Sequence, residues 1–97
     1  MKLFELTPMS RSRFDMLAEV LETARGGTTK TRIVTEANLN QEIATHMLNL
    51  LVDLDLLAAR HNSPISYGTT EKGFRFLDEY RRLKRLLDSR SGLQEKL

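Results

Sequence analysis

Apolar residues recur along this chain at helical spacing three times, then in a short extended stretch, then in one long helical run. Phe14, Leu17, Ala18, Leu21 and Ala24 share one helix face, with Met16 and Val20 as a second stripe. This predicts a helix capped by Ser10 or Ser12, running to about Arg25 and stopped by Gly26-Gly27. Thr28 or Thr29 caps a short second helix, residues 29–37, whose inward side is Ile33, Val34 and Ala37. Asn38-Leu39-Asn40 reads as a turn, in which Asn38 tolerates left-handed backbone and Leu39 docks on the core. Asn40 caps a third helix, residues 40–54, with Ile43, Met47, Leu50, Leu51 and Leu54 predicted to face inward.

The period then changes. Leu56 to His61 and Ile65 to Thr69 flank Asn62-Ser63-Pro64 and predict a small β-hairpin. Thr70 caps a last helix from Glu71 to about Arg90, with Gly73 allowing close approach of a neighbour in its first turn. Phe74 and Leu77 should be core residues. Phe76, Tyr80, Leu83 and Leu87 recur at spacing four, three and four, a heptad-like seam. The expected organisation is an arm (1–9) carrying Leu3, Phe4 and Leu6, a domain (10–70), a C-terminal helix (71–90) and a frayed tail (91–97). The fold class is mainly α with a small β-hairpin (α+β). A short helix, a three-residue turn and a longer helix in succession have helix-turn-helix spacing.

Composition narrows the function. Ninety-seven residues bound the chain to one small domain. The absence of cysteine excludes disulfides, thiolate metal sites and a cysteine nucleophile. Met1 to Pro8 contains Glu5 and has no apolar core of signal-peptide length. No segment approaches the roughly 20 apolar residues of a membrane span, so a soluble, intracellular protein is expected. Gly26-Gly27 follows no strand and lacks the spacing of a phosphate loop. His46 and His61 have no third ligand in view. The expectation is therefore no catalytic residue, no metal, no cofactor and no small-molecule ligand: a binding protein, not an enzyme. A net charge of +2 permits a nucleic-acid partner without requiring one.

The order helix, helix-turn-helix, hairpin, helix is the winged helix layout. Particular residues add to it. Gly27-Thr28-Thr29-Lys30-Thr31-Arg32-Ile33-Val34, followed by Ala37-Asn38-Leu39, resembles the second helix and turn of a family of small archaeal winged helix-turn-helix DNA-binding proteins. Tyr67-Gly68-Thr69-Thr70-Glu71-Lys72-Gly73 resembles that family's strand-to-helix signature. Leu77, Tyr80, Leu83 and Leu87 resemble its C-terminal helix, which in some members forms an antiparallel coiled-coil dimer. Two positions depart from the pattern, and the final helix is shorter than in the strongest coiled-coil members. Asp55 stands where a glycine usually separates the third helix from the wing, and Gly68 stands for an aliphatic residue. The resemblance implies a three-helix core plus wing and a long C-terminal helix, with a role in transcription regulation at the nucleoid.

On this basis each exposed group has an expected partner. Arg25, Thr29, Lys30, Thr31 and Arg32 cluster without an acid among them and would contact the phosphate backbone of double-stranded DNA, as would Arg60 near the wing tip. Arg11 and Arg13 could extend that basic surface. Gln41, Glu42, Thr45, His46 and Asn49 lie on the outer side of the third helix, where they could meet base edges in the major groove. That helix carries no Lys or Arg, which favours the alternative of a protein–protein assembly module. Phe76, Tyr80, Leu83 and Leu87 would form a homodimer interface, because a helix of about 20 residues extends ~30 Å, beyond so small a domain.

Overall fold

A computed structural model describes residues 12–61 and 63–96. Its elements run α1 (Arg13–Thr23), β1 (Thr28–Thr29), α2 (Lys30–Glu36), α3 (Gln41–Asp53), β2 (Leu57–Arg60), β3 (Ser66–Thr69) and α4 (Glu71–Lys96). The arm at 1–9, the alternative cap Ser10, Arg11 and Asn62 lie outside the described residues.

Each short helix starts on a side chain that satisfies an orphan N–H. The Ser12 hydroxyl accepts from the Asp15 N–H at 3.0 Å, and the Asp15 carboxylate accepts from the Ser12 N–H at 3.1 Å, a reciprocal capping box. The Thr29 hydroxyl caps α2 through the Arg32 N–H, and the Asn40 carbonyl oxygen caps α3 through the Ile43 N–H at 2.7 Å.

The C-termini of α2 and α3 repeat one motif. Asn38 (φ 55°) and Asp55 (φ 65°) are left-handed. The next residue, Leu39 or Leu56, donates its N–H back to Val34 or Leu51, at 3.0 and 2.9 Å. Both leucines are buried, so the turn that ends each helix is pinned to the core. Asp55, at the position of the family's glycine, thus keeps the left-handed backbone that glycine would supply.

The core gathers Leu17, Val20 and Leu21 of α1, Ile33 of α2, Ala44, Leu48 and Leu51 of α3, Leu57 of β2 and Leu77 of α4. The sheet has three strands in the order β1-β3-β2, all antiparallel. Leu57 pairs with Thr69 and Arg60 with Ser66, while Thr28 pairs with Tyr67. Thr69 ties the sheet to α1: its N–H donates to the Ala24 carbonyl and its hydroxyl to the Leu21 carbonyl at 2.6 Å. The start of α4 finishes α3. The Thr70 hydroxyl donates to the Asp55 carbonyl at 2.7 Å and the Lys72 ammonium to the Leu54 carbonyl at 2.8 Å, a cation on a helix C-terminus. Gly73 packs where any Cβ would overlap the Leu56 carbonyl oxygen and the Thr69 methyl group.

Several expectations change. The hairpin gains a third strand, because Thr28 and Thr29 extend before Thr29 caps α2. Helix α1 stops at Thr23 with Ala24 as its cap, and the left-handed Gly27 (φ 95°) turns the chain into β1. In α3 the buried side is Ala44, Met47, Leu48 and Leu51, while Ile43, Leu50 and Leu54 are exposed. The apolar arc of α3 is wider than one face, and small Ala44 lets the helix approach the core on a side the larger residues do not choose. Phe14 and Phe74 also lie at the surface. Finally, α4 does not stop at Ser91-Gly92 but continues to Lys96.

Candidate functional site

The exposed surface of α2 and α3 holds most of the polar residues singled out in the sequence. Gln41, Glu42, Thr45, His46 and Asn49 are all exposed, on adjacent turns of α3. The turn Ala37–Asn40 sets α2 against α3 so that Lys30 reaches across. Its ammonium donates to the Thr45 hydroxyl at 2.6 Å, and that hydroxyl donates to the Gln41 carbonyl at 2.9 Å. A helix with no cation of its own thereby carries one at its polar face. The sequence order hides this, since the two residues are fifteen positions apart.

The other expected phosphate contacts are not all alike. Thr31 is exposed, while the Thr29 hydroxyl is engaged as the α2 cap. Arg32 is exposed but ion-paired with Glu36 at 2.5 Å, one turn on. Arg25 and Arg60 are set apart from this group and line a cleft against the wing instead. Arg25 lies over the Phe74 ring, 5.3 Å from its centroid, and reaches Glu22 at 3.4 Å. Arg13 and His46 border an apolar concavity of about 390 Å³ formed by Met16, Ile43, Met47 and Leu50.

The expected dimer residues divide in two. Tyr80 turns onto its own protomer: its hydroxyl donates to the Asp15 carboxylate, and its ring stacks on Phe76 with centroids 6.5 Å apart. Burial first, and then the hydrogen bond to Asp15 and its charge, raise the Tyr80 hydroxyl to about 12. The same hydrogen bond, helped by the Ser12 N–H, holds Asp15 below its ordinary value. Arg81 adds a second tie, to Glu22 of α1, and pairs with Asp78 at 3.3 Å. Leu83 lines an apolar concavity with Phe14 of α1, Phe76 and Tyr80, and Leu83, Leu86, Leu87 and Phe14 are all more than half exposed.

No cluster of three His, Asp or Glu side chains with metal-binding geometry occurs among the described residues. No described helix is long and apolar enough to cross a membrane.

Comparison with known proteins adds three findings. The family described as winged helix-turn-helix matches residues 10–88. Among solved structures, Sso10a-2, a DNA-binding protein from Sulfolobus solfataricus, superposes with a TM-score of 0.79 at 21% identity, over 89% of this chain and 92% of that one. A MarR family transcriptional regulator from Silicibacter pomeroyi gives 0.66 at 21% identity, over 99% of this chain and 65% of its own. The adhesin competence repressor AdcR from Streptococcus pyogenes gives 0.63 at 18%, over 99% and 75%. Among curated proteins none matches in sequence.

Proposed function

Because the chain belongs to the winged helix-turn-helix family, we propose that it binds double-stranded DNA and acts in transcription regulation at the nucleoid. In this reading α3 enters the major groove, with Gln41, Glu42, Thr45, His46 and Asn49 toward base edges. Helix α2 and the wing lie along the phosphates, through Thr31, Lys30, Arg32 and Arg60.

The observation that carries the reading is the Lys30–Thr45 contact. It brings a positive charge to the exposed side of α3, the property a DNA-facing helix needs and the α3 sequence lacks. The description of Sso10a-2 as a DNA-binding protein agrees with it. The outward leucines of α4 support a homodimer, which would present two copies of α3 to two half-sites.

Binding to mixed-sequence duplex DNA across a salt titration tests the proposal. Affinity should fall steeply with salt, and Lys30→Ala/Arg32→Ala should weaken binding and flatten the slope. Absence of binding at low salt would overturn it. The apolar concavity of Met16, Ile43, Met47 and Leu50 beside the polar face of α3 would then favour an assembly module.

A further inference from the structure

On the outer face of the sheet, the wing and the body enclose a cleft of about 370 Å³. Arg25 of the α1–β1 turn and Arg60 at the end of β2 both line it. Ser66 and Gly68 of β3 and Ala58 of β2 line the cleft, and Phe74 of α4 borders it. No carboxylate is among the described residues that line it. Arg60 makes no ion pair among the described residues, while Arg25 pairs with Glu22 at 3.4 Å at the helix surface and lies over the Phe74 ring.

Gly68 is a second, independent observation. It sits inside a strand, where glycine weakens pairing and packing. Its φ is not left-handed, and a Cβ built on it would meet nothing within 4 Å. Neither backbone geometry nor packing therefore asks for glycine here. Its register partner is exposed Ala58, so a side chain at 68 would project into the same cleft. The effect of Gly68 is to keep open the cleft that the two arginines line. This is one of the two positions at which the chain departs from the pattern it resembles.

We propose that this cleft seats a phosphate group, gripped by the Arg25 and Arg60 guanidiniums with the Ser66 hydroxyl as a further donor. Two sources share that chemistry: a free phosphorylated small molecule, or a phosphodiester of DNA. Only the second rests on the DNA-binding reading.

The test is an amide NMR titration of the full chain at constant ionic strength. Adenosine 5′-monophosphate, inorganic phosphate and a duplex oligonucleotide are added in separate arms to wild type, Gly68→Val and Arg25→Gln. The expected result is shifts at Arg60, Ser66 and Gly68, with affinity falling about ten-fold in each variant, as for a lost charge-assisted contact or a filled site. Valine suits a strand, so Gly68→Val should melt at or above the wild-type temperature. Cleft shifts with the nucleotide or phosphate assign a free phosphorylated ligand, and cleft shifts with the duplex alone assign the DNA backbone. The inference is overturned if none of the three moves these amides at millimolar concentration, or if Gly68→Val titrates like wild type. A duplex that shifts Lys30 and Gln41 but not the cleft overturns this inference and leaves the DNA reading intact. Cleft shifts with nucleotide and no duplex binding do the reverse.

Discussion

The Lys30 ammonium donates to the Thr45 hydroxyl at 2.6 Å, so the first residue of α2 is fastened to the exposed side of α3. This separates the charge of Lys30 from its position, and the two can be tested apart. Lys30→Ala should weaken duplex binding across all sequences and make the salt slope shallower by about 0.9, the loss of one phosphate contact. Thr45→Val keeps the charge but frees it, so affinity should fall while the slope stays. The double variant should cost less than the sum of the two, because both remove one interaction. A Thr45→Val variant that binds like wild type would show that the contact does not position the cation.

Arg32 is exposed, yet Glu36 holds its guanidinium at 2.5 Å. An exposed pair one helical turn apart is weak, so its effect on stability should be under about 0.5 kcal/mol. Its effect on DNA binding should be larger, because Glu36 both occupies Arg32 and repels phosphate. Glu36→Gln should raise duplex affinity and steepen the salt slope, with little change in melting temperature. Unchanged binding would remove Arg32 from the contact surface.

Most of the fold was legible in the sequence because its helix ends are written in single residues. Asn40, Thr29, Asn38 and Thr70 each act through a side chain or a backbone preference that depends on residue type. The orientation of α3 was not legible. Its apolar residues cover so wide an arc that periodicity cannot choose between Leu50 and Leu48, and the choice falls to packing around Ala44. Strand β1 escaped because two residues carry no period; it exists only through its pairing with Tyr67 and Ser66. The sequence presents the site residues as a chemical inventory. Which of them share a surface depends on Lys30 meeting Thr45 and on Arg25 lining one cleft with Arg60, relations that sequence spacing does not contain.

The Tyr80–Asp15 hydrogen bond makes stability sensitive to pH at both extremes. Asp15 is held below its ordinary 3.8, so its contribution is present above that value and is lost as pH falls through the lower folded value. Tyr80 is raised from 10.0 to about 12, so its contribution is present below 10 and is lost as pH rises through about 12. Tyr80→Phe should flatten both limbs in urea unfolding followed across pH. The acid limb should keep a remnant, since the Ser12 N–H still binds the Asp15 carboxylate. An unaltered profile would mean the bond contributes nothing in solution.

Two backbone positions should respond in opposite directions. Asp55 is left-handed at φ 65°, a region costly for a residue with a Cβ. Its carbonyl, the acceptor for Thr70, does not depend on the side chain. Asp55→Gly should therefore stabilise the protein by about 0.5–1 kcal/mol. Gly73→Ala should destabilise it by about 1–3 kcal/mol, because the new methyl overlaps the Leu56 carbonyl and the Thr69 methyl, so α4 must move off them. Denaturant midpoints for the two variants check both signs.

The outward side of α4 yields the last prediction. At about 1.5 Å per residue, a helix from Glu71 to Lys96 outreaches the body it packs on. Leu83, Leu86 and Leu87 are 53%, 66% and 63% exposed, and Phe14 of α1 is 63% exposed. Apolar side chains gathered in this way on a helix edge mark an interaction surface. Tyr80, although in register with them, spends its hydroxyl on Asp15 and its ring on Phe76 within the protomer. A homodimer through α4 should therefore depend on Leu83 and Leu87 but not on the Tyr80 hydroxyl. In sedimentation analysis the wild type should run as a dimer, Leu83→Asp/Leu87→Asp as a folded monomer, and Tyr80→Phe as a dimer. The leucine variant should still melt cooperatively, since neither residue belongs to the core. A wild type that sediments as a monomer at micromolar concentration would remove the dimer. Each α3 would then have to hold DNA alone, without a second half-site to share the binding energy.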